Sequence, residues 1–240
     1  MLDKVDLHTH TIASGHAYNT RNEMLAAAKA KGLELYAITE HAPAMPGSCH
    51  RMYFVNCRVL PREYRGMAVL YGVELNILDY AGNVDLPESI LREMDVVLAS
   101  LHTPCYQSGS IEENTEAYIG AMKNPYVNII AHPDDSRFPI DYEKLVKAAK
   151  EYHVILEVNN ASLSAWSFRG DPRERYQEML ALCQKYQVPV VMDSDAHVDS
   201  LVGEHGNACK VLEQAKFPQE LIVNANPMKW RGYFNHWYDV

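Results

Sequence analysis

The 240 residues carry 22 Lys and Arg against 31 Asp and Glu, a formal charge of -9, with 48% hydrophobic and 22% charged residues. That length and apolar content suffice to bury a core, which excludes a disulfide-stapled miniprotein and a disordered chain. The acidic balance excludes a non-specific grip on long nucleic acid or on an anionic membrane surface, both of which need clustered Lys and Arg. Five cysteines, an odd set with no C-x-x-C pair, read as reduced and mostly buried thiols rather than a disulfide framework or zinc ribbon. No basic and apolar leader stands at the start and no apolar run approaches bilayer length, so the expected location is cytoplasmic, with no membrane contact. The unusual number is eleven histidines.

Short β-branched or apolar runs recur over residues 5–8, 35–39, 69–76, 96–102, 127–132, 154–159 and 188–193. Between them, apolar residues three and four apart predict helices over 22–31, 111–123, 142–152 and 172–186. The period is that of a βα unit, so the expectation is an α/β chain, one domain over 1–240, forming a closed or nearly closed parallel barrel rather than a doubly wound sheet. One long connection, 42–65, carries Pro43, Pro46, Gly47 and Pro61 and is either a lid or a surface excursion. After Asn226 and Pro227, the residues Trp230, Tyr233, Phe234 and Trp237 recur at helical spacing; a terminal helix closing one side of the barrel explains them better than nucleotide stacking. Gly203-Glu204-His205-Gly206 lacks a P-loop lysine and matches no phosphate-cradling fingerprint.

His8 and His10, two apart at the end of the first run, face the same side of an extended chain. His16 follows in a Ser/Gly loop, Thr39-Glu40-His41 closes the second run, and Gly72-Val73-Glu74 ends the third. His102, then Ala131-His132-Pro133, then Asp193-Ser194-Asp195-Ala196-His197 close later ones. Seven of the eleven histidines thus fall at run ends, the rim where parallel barrels build active sites; His50, His153, His205 and His236 do not. Seven imidazoles with Glu74 and Asp195 are too many donors for one zinc ion, so a two- or three-metal cluster is expected. Imidazole and carboxylate without thiolate suit zinc, manganese or iron, and Glu74 is placed to bridge ions.

The set D-L-H-x-H-T, T-E-H, G-x-E, a histidine after the fourth run, A-H-P and D-x-H resembles the motifs of the PHP (polymerase and histidinol phosphatase) superfamily. S-G-H-A-Y-N-T, E-V-N-N-A-S and S-D-A-H-V-x-x-x-x-G-E are similar to its small stand-alone phosphatases of the YcdX type, and the likeness runs through nearly the whole chain. It implies a distorted (β/α)7 TIM-like barrel with three divalent ions, commonly zinc, acting on phosphate esters. By that resemblance His8, His10 and Asp195 would hold one ion, Glu74 would bridge it to a second held by His102 and His132, and His16, His41 and His197 would hold the third. Glu40 stands where many members have Asp, and Asp193 adds a carboxylate read as an inner barrel residue.

The expected activity is that of a metal-dependent phosphoesterase, hydrolysing small phosphorylated substrates by in-line attack of hydroxide generated at the ions. Glu74, Asp195 and His197 would be the catalytic residues. Arg51, Arg58 and Arg62 in the long connection are candidate phosphate contacts, as is Asn159 for the substrate pocket. Asp6 and Glu157 would orient a ligating imidazole or serve as interior caps. Alternatives are a histidinol-phosphate phosphatase, a nuclease on short oligonucleotides, an amidohydrolase barrel, and a degenerate metal-binding scaffold. A homo-oligomer is compatible with the composition.

Overall fold

The computed structural model describes residues 3–236. Seven strands run parallel: β1 (Val5–Asp6), β2 (Leu35–His41), β4 (Met67–Asn76), β5 (Val97–Ser100), β6 (Ile129–Ile130), β7 (Ile155–Asn159) and β8 (Val190–Asp193). A short β3 (Glu63–Tyr64) pairs antiparallel with the start of β4. The order β1-β2-β4-β5-β6-β7-β8 returns on itself, but among the described residues no ladder pairs β8 with β1, and the seam carries the isolated bridge Thr9 to Ala196 and side-chain bonds such as that from the Leu7 amide to Asp193 Oδ1. The result is the distorted (β/α)7 barrel expected. β2 and β4 are buried along their whole length, as parallel strands covered on both faces must be, which is why these runs read as near-continuously apolar.

The helices are α1 (Arg21–Ala30), α2 (Met52–Asn56), α3 (Glu88–Leu91), α4 (Ile111–Met122), α5 (Tyr142–Tyr152), α6 (Arg173–Tyr186) and α7 (Gly206–Gln214). Capping boxes start α1 (Thr20 with Glu23) and α4 (Ser110 with Glu113), and the Asp141 side chain caps α5. Three helices have no strong sequence signal. α2 and α3 are too short to stand without tertiary contacts. The cap of α7 comes from a distant residue: Asn160 Oδ1, just beyond β7, accepts from the amides of Asn207 and Ala208.

Two placements set the site. Gly72 in β4 has no room for a Cβ, which would lie 2.0 Å from the Val96 carbonyl; its absence lets the start of β5 close on β4 and brings Glu74 beside Ser100. The connection 42–65 begins at the C-terminal ends of the strands, where the Ala42 amide bonds the Glu74 carbonyl, and finishes at the N-terminal ends in β3. It therefore crosses the full height of the barrel. The terminal aromatic segment forms a 3-10 helix (Pro227–Tyr233) rather than an α-helix, and buries Trp230 and Phe234. It bonds Asn128 and Asp95 at the starts of β6 and β5, so it closes the end opposite the histidines. Trp237 lies outside the described residues. All five cysteines are free, and no helix among the described residues is long and apolar enough to cross a membrane.

Candidate active site

Six strand ends and one loop bring His8, His10, His16, His41, Glu74, His102, His132, Asp195 and His197 together. Glu74 is buried at the centre. Its Oε1 lies 2.8 Å from His132 Nε2 and 3.2 Å from His102 Nε2. Its Oε2 lies 2.7 Å from His41 Nδ1, 3.4 Å from His8 Nε2 and 3.5 Å from His10 Nε2. Asp195 Oδ1 is 3.6 Å and 3.4 Å from the same two Nε2 atoms. The rings of His10 and His41 stack at 4.2 Å, and those of His16 with His41 and His197 lie 4.8 Å and 4.9 Å apart.

The outer nitrogens of these rings show which way the inner ones point. His8 Nδ1–H donates to Glu157 Oε1 (2.7 Å), and His102 Nδ1–H to Asn76 Oδ1 (2.8 Å). His197 Nδ1–H donates to the Asp195 carbonyl (3.0 Å). His10 Nδ1–H donates to Ser14 Oγ (3.1 Å), whose own proton goes to Glu40 Oε2. Each Nε2 is then left with its lone pair turned inward, the arrangement by which a second layer of acceptors fixes metal-ligating histidines. The Nε2 atoms of His8 and His10 face each other at 3.1 Å, close enough to share a proton or, with that proton displaced, a cation. His41 Nδ1 and Glu74 Oε2 lie 2.7 Å apart without hydrogen-bonding geometry, and His132 Nδ1 is buried without a hydrogen-bond partner. Three groups of ligating atoms, each within 4.8 Å, follow: His8, His10 and Glu74; His41, Glu74 and His102; His10, His41 and His197. The donor set fits hard or borderline divalent ions and offers no thiolate.

Electrostatics points the same way. Burial holds His10 well below the ordinary histidine range and lowers His102 and His197; burial together with His41 and His197 lowers His16 to about 4. Burial acts against ionisation of Glu74 and Asp195, yet the surrounding imidazoles, and for Asp195 also Arg169, hold both carboxyls well below the usual range. His8 goes the other way: Glu157, Glu74 and Asp195 outweigh its burial. Neutral imidazole and ionised carboxylate are the forms that bind metal. His132 (φ 33°) and Asp195 (φ 53°) hold the left-handed backbone that β-strand residues avoid, and each turns its side chain into the cluster at the cost of local strain.

Glu157 does what was expected of it, orienting His8 while Oε2 accepts from the His132 amide (2.6 Å). Asp6 does not touch a ring of the cluster; it takes the Ser194 and Gly203 amides and faces His205. Asp193 is an inner residue, buried and bonded to the Leu7 amide, and burial beside Glu157 and Asp6 raises its carboxyl well above the usual range. Glu40 organises the 11–16 loop by accepting from Thr11 and Ser14.

The expected cation contacts are corrected. Arg62 reaches Asp95 Oδ2 at 2.9 Å before the start of β5 and stacks on the Tyr71 ring, at the barrel end away from the cluster. Arg58 is exposed on the turn Cys57–Val59, flanked by the Cys57 and Leu60 carbonyls that Arg62 binds, so it shares that remote position. Arg51 is exposed before α2. The downward course of the connection is the reason. Asn159 is fully buried under the rim: its amide nitrogen serves Glu157 and Asp195, and its oxygen accepts from the Ser162 amide and Arg169. It positions other groups and has nothing left for a substrate.

The cations at the site are Arg169 and Arg137, which the sequence reading missed. Arg169 Nη2 donates to Asp195 Oδ2 (3.0 Å), and Nη1 to Asn159 Oδ1 (3.3 Å) and Ser162 Oγ (3.1 Å), while Nε lies 3.9 Å from Asp135 Oδ2. Arg137 forks onto Asp135. Both line a cavity of about 520 Å³ above His16, His41, His102, Asp195 and His197. Arg169 stands ten residues beyond the end of β7, so inspection of run ends alone passes over it. Gly170 (φ 79°) and Pro172 just after it are the available signal for an ordered turn there.

The chain matches the PHP domain family over residues 6–226. It is 49% identical over 224 residues to a protein described as a probable phosphatase from Caldicellulosiruptor saccharolyticus, covering 93% of this chain and 92% of that one. A probable phosphatase from Clostridium novyi is 43% identical over 229 residues, covering 95% and 93%. Among solved structures, histidinol phosphate phosphatase from Lactococcus lactis, complexed with zinc, L-histidinol and phosphate, has the same fold, with a TM-score of 0.64 at 19% identity over 91% of this chain and 95% of that one. With a barrel, a rim cluster and a near full-length sequence match in agreement, the chain belongs to the PHP domain family.

Proposed function

We propose that the protein is a metal-dependent phosphoesterase that hydrolyses small phosphate monoesters at a three-ion site. The observation that carries this reading is the inward set of Nε2 lone pairs, two of them 3.1 Å apart, around a carboxylate. His8, His10 and Asp195 would hold one ion, Glu74 would bridge to a second with His102 and His132, and His16, His41 and His197 would hold the third. When bound, zinc, manganese or iron would lower the pKa of water and neutralise phosphoryl oxygens. The relatives described as phosphatases support the class of reaction, and the Lactococcus protein's zinc and phosphate are compatible with the ligand set.

The chain's own residues then have distinct tasks. Arg169 and Arg137 line the cavity beside the cluster, and a phosphate there would share their guanidinium groups with Asp195 and Asp135, the carboxylates they now hold. Asn159 and Arg169 hold Asp195 Oδ2 so that Oδ1 faces the cluster. Glu157, Asn76 and Ser14 keep protons on the outer ring nitrogens and lone pairs on the inner ones. Met45, Pro46, Trp166 and Phe168 give the cavity apolar walls beside its charged floor.

The test is elemental analysis of the purified protein together with a panel of phosphate esters. Two to three moles of divalent metal per chain and phosphate release abolished by chelation are expected. Metal-free protein that stays metal-free after supplementation, or release of no phosphate from any ester, overturns the proposal. Rapid turnover of histidinol phosphate alone in the panel would narrow it to that substrate, and release of 5′-mononucleotides from short single strands would move it to a nuclease.

A further inference from the structure

The cavity over the cluster is divided chemically. Its floor is imidazole and carboxylate; its walls include Met45, Pro46, Pro104, Trp166, Phe168 and Leu201. Trp166 and Phe168 are 67% and 73% exposed, an unusual position for two large rings two residues apart on one loop. The loop that carries them is firmly held. Beside the rings, the Arg169 guanidinium is locked onto Asp195, Asn159 and Ser162, and the Arg169 carbonyl accepts from both the amide and the hydroxyl of Ser136. The Ser167 amide bonds the Ser164 carbonyl. The two rings are therefore presented to the cavity by an anchored segment. Phe168 lies under the Arg137 guanidinium at 4.7 Å and near that of Arg169 at 5.6 Å. Trp166 has no ring or cation packed on it among the described residues.

We propose that Trp166 and Phe168 form a stacking subsite for the leaving group, so that the preferred substrates are phosphomonoesters whose alcohol carries an aromatic or heteroaromatic ring close to the ester oxygen. This rests on the phosphoesterase reading above. The phosphoryl group belongs at the Arg169 end, and the ring at the mouth. A volume of about 520 Å³ lies within the range of small-molecule sites and takes a phosphate with one or two fused rings. An aliphatic group of equal size would gain only area against the same wall, whereas a planar ring also gains the offset or edge-to-face contact with indole. In the reaction the phosphorus–oxygen bond to the alcohol breaks, water supplies the oxygen that completes inorganic phosphate, and one water proton passes to the departing alcohol.

The experiment uses benzyl phosphate and cyclohexylmethyl phosphate with the full-length, metal-supplemented protein. Both release seven-carbon primary alcohols of similar acidity, so ring planarity is the main difference between them, and the phosphonate competition below is free of any leaving-group effect. A kcat/KM roughly tenfold higher for the benzyl ester is expected, the scale of one stacked ring. Trp166→Ala should erase the difference with inhibition by inorganic phosphate unchanged, and Trp166→Phe should restore most of it. In binding, benzylphosphonate should compete with phosphate more strongly than cyclohexylmethylphosphonate, again only with an aromatic residue at 166. Equal kcat/KM for the two esters, or selectivity that survives Trp166→Ala, overturns the subsite and leaves the phosphoesterase reading standing. Hydrolysis of neither ester while others in the panel turn over overturns the subsite as well; hydrolysis of no ester overturns both.

Discussion

Glu74→Gln is the substitution that tests the cluster most directly. It keeps the shape of a fully buried side chain, and so leaves packing intact, while removing the one charge on which five imidazoles converge at 2.7 to 3.5 Å. An amide is a weaker donor to a divalent ion than a carboxylate, and the two Glu74 oxygens face different groups of rings, so two of the three proposed ion positions lose a ligand. Loss of a residue that merely supports a ligand costs 10- to 100-fold in metal affinity. Taking the upper figure for a direct donor gives about 2.7 kcal/mol at each position, or about 5 kcal/mol of ligand-linked stability for two. In a chain of this size that corresponds to about 10–20 °C in the melting temperature of the metal-loaded protein. The metal-free proteins should melt within a few degrees of each other. Calorimetry with and without metal, and elemental analysis after dialysis, read both quantities. A variant that keeps full metal stoichiometry and the wild-type rise in melting temperature would refute the bridging role of Glu74.

Three further outcomes follow from other residues. Arg169→Ala should weaken phosphate inhibition by at least about tenfold, and should cost about 3 kcal/mol in denaturant unfolding because Asp195 Oδ2 keeps only Asn159 as a partner; unchanged phosphate inhibition would remove Arg169 from the phosphate site. Arg62→Met should leave kcat/KM unchanged and lower stability by about 2 kcal/mol, because Asp95 is buried and loses its guanidinium; a large rise in KM with no loss of stability would return Arg62 to the substrate. His205 is buried between Asp3 and Asp6, and these carboxylates outweigh the burial and raise it well above the ordinary histidine value. A raised folded pKa means stabilisation that is complete below about 6.5 and disappears as pH climbs through the folded value. His205→Asn should therefore be less stable than wild type at about pH 6, with a gap that narrows by about pH 9.5; an equal gap at both would show that the ion pair contributes nothing.

The cluster was readable because each of its residues except His16 sits at, or within a few positions of, the end of an apolar run, and His16 drew notice as a histidine in the Ser/Gly loop that follows His10. His8, His41, Glu74, His102, His132 and Asp195 need only the strand period and the rule that function gathers at C-terminal strand ends. Arg62 and Arg58 were misplaced for a reason of topology. Composition shows that residues 42–65 form a long connection, but which barrel end a given residue reaches depends on the pairing of β3 with β4, a contact between two-residue segments with almost no local signal. Arg169 was hidden by distance along the chain, and Asn159 misled because its place on the rim was right while its hydrogen-bonding capacity was already spent on Glu157, Asp195, Ser162 and Arg169. The 3-10 form of Pro227–Tyr233 also escaped the helical spacing, since residues three apart share a side in either helix.

What local sequence preference does not account for is concentrated at the site itself. His132 and Asp195 take a left-handed backbone with no glycine to ease it, at the ends of β6 and β8. Each departure is held by contacts from other parts of the chain: the His132 amide by Glu157, and the Asp195 side chain by Arg169 and Asn159. Glu157 also holds His8, and Asn159 bonds Glu157 as well as Asp195, so one small network ties the strained turns to the tautomer of a ring on the opposite side of the seam. Strain survives where the surrounding structure over-determines it, and here one of the over-determining residues, Glu157, also sets the direction of the His8 inner lone pair. The barrel seam between β8 and β1, which among the described residues carries an isolated bridge and no ladder, is thus spanned mainly by this buried polar network. A cation at His8, His10 and Asp195 would complete that span, coupling metal binding to closure of the barrel.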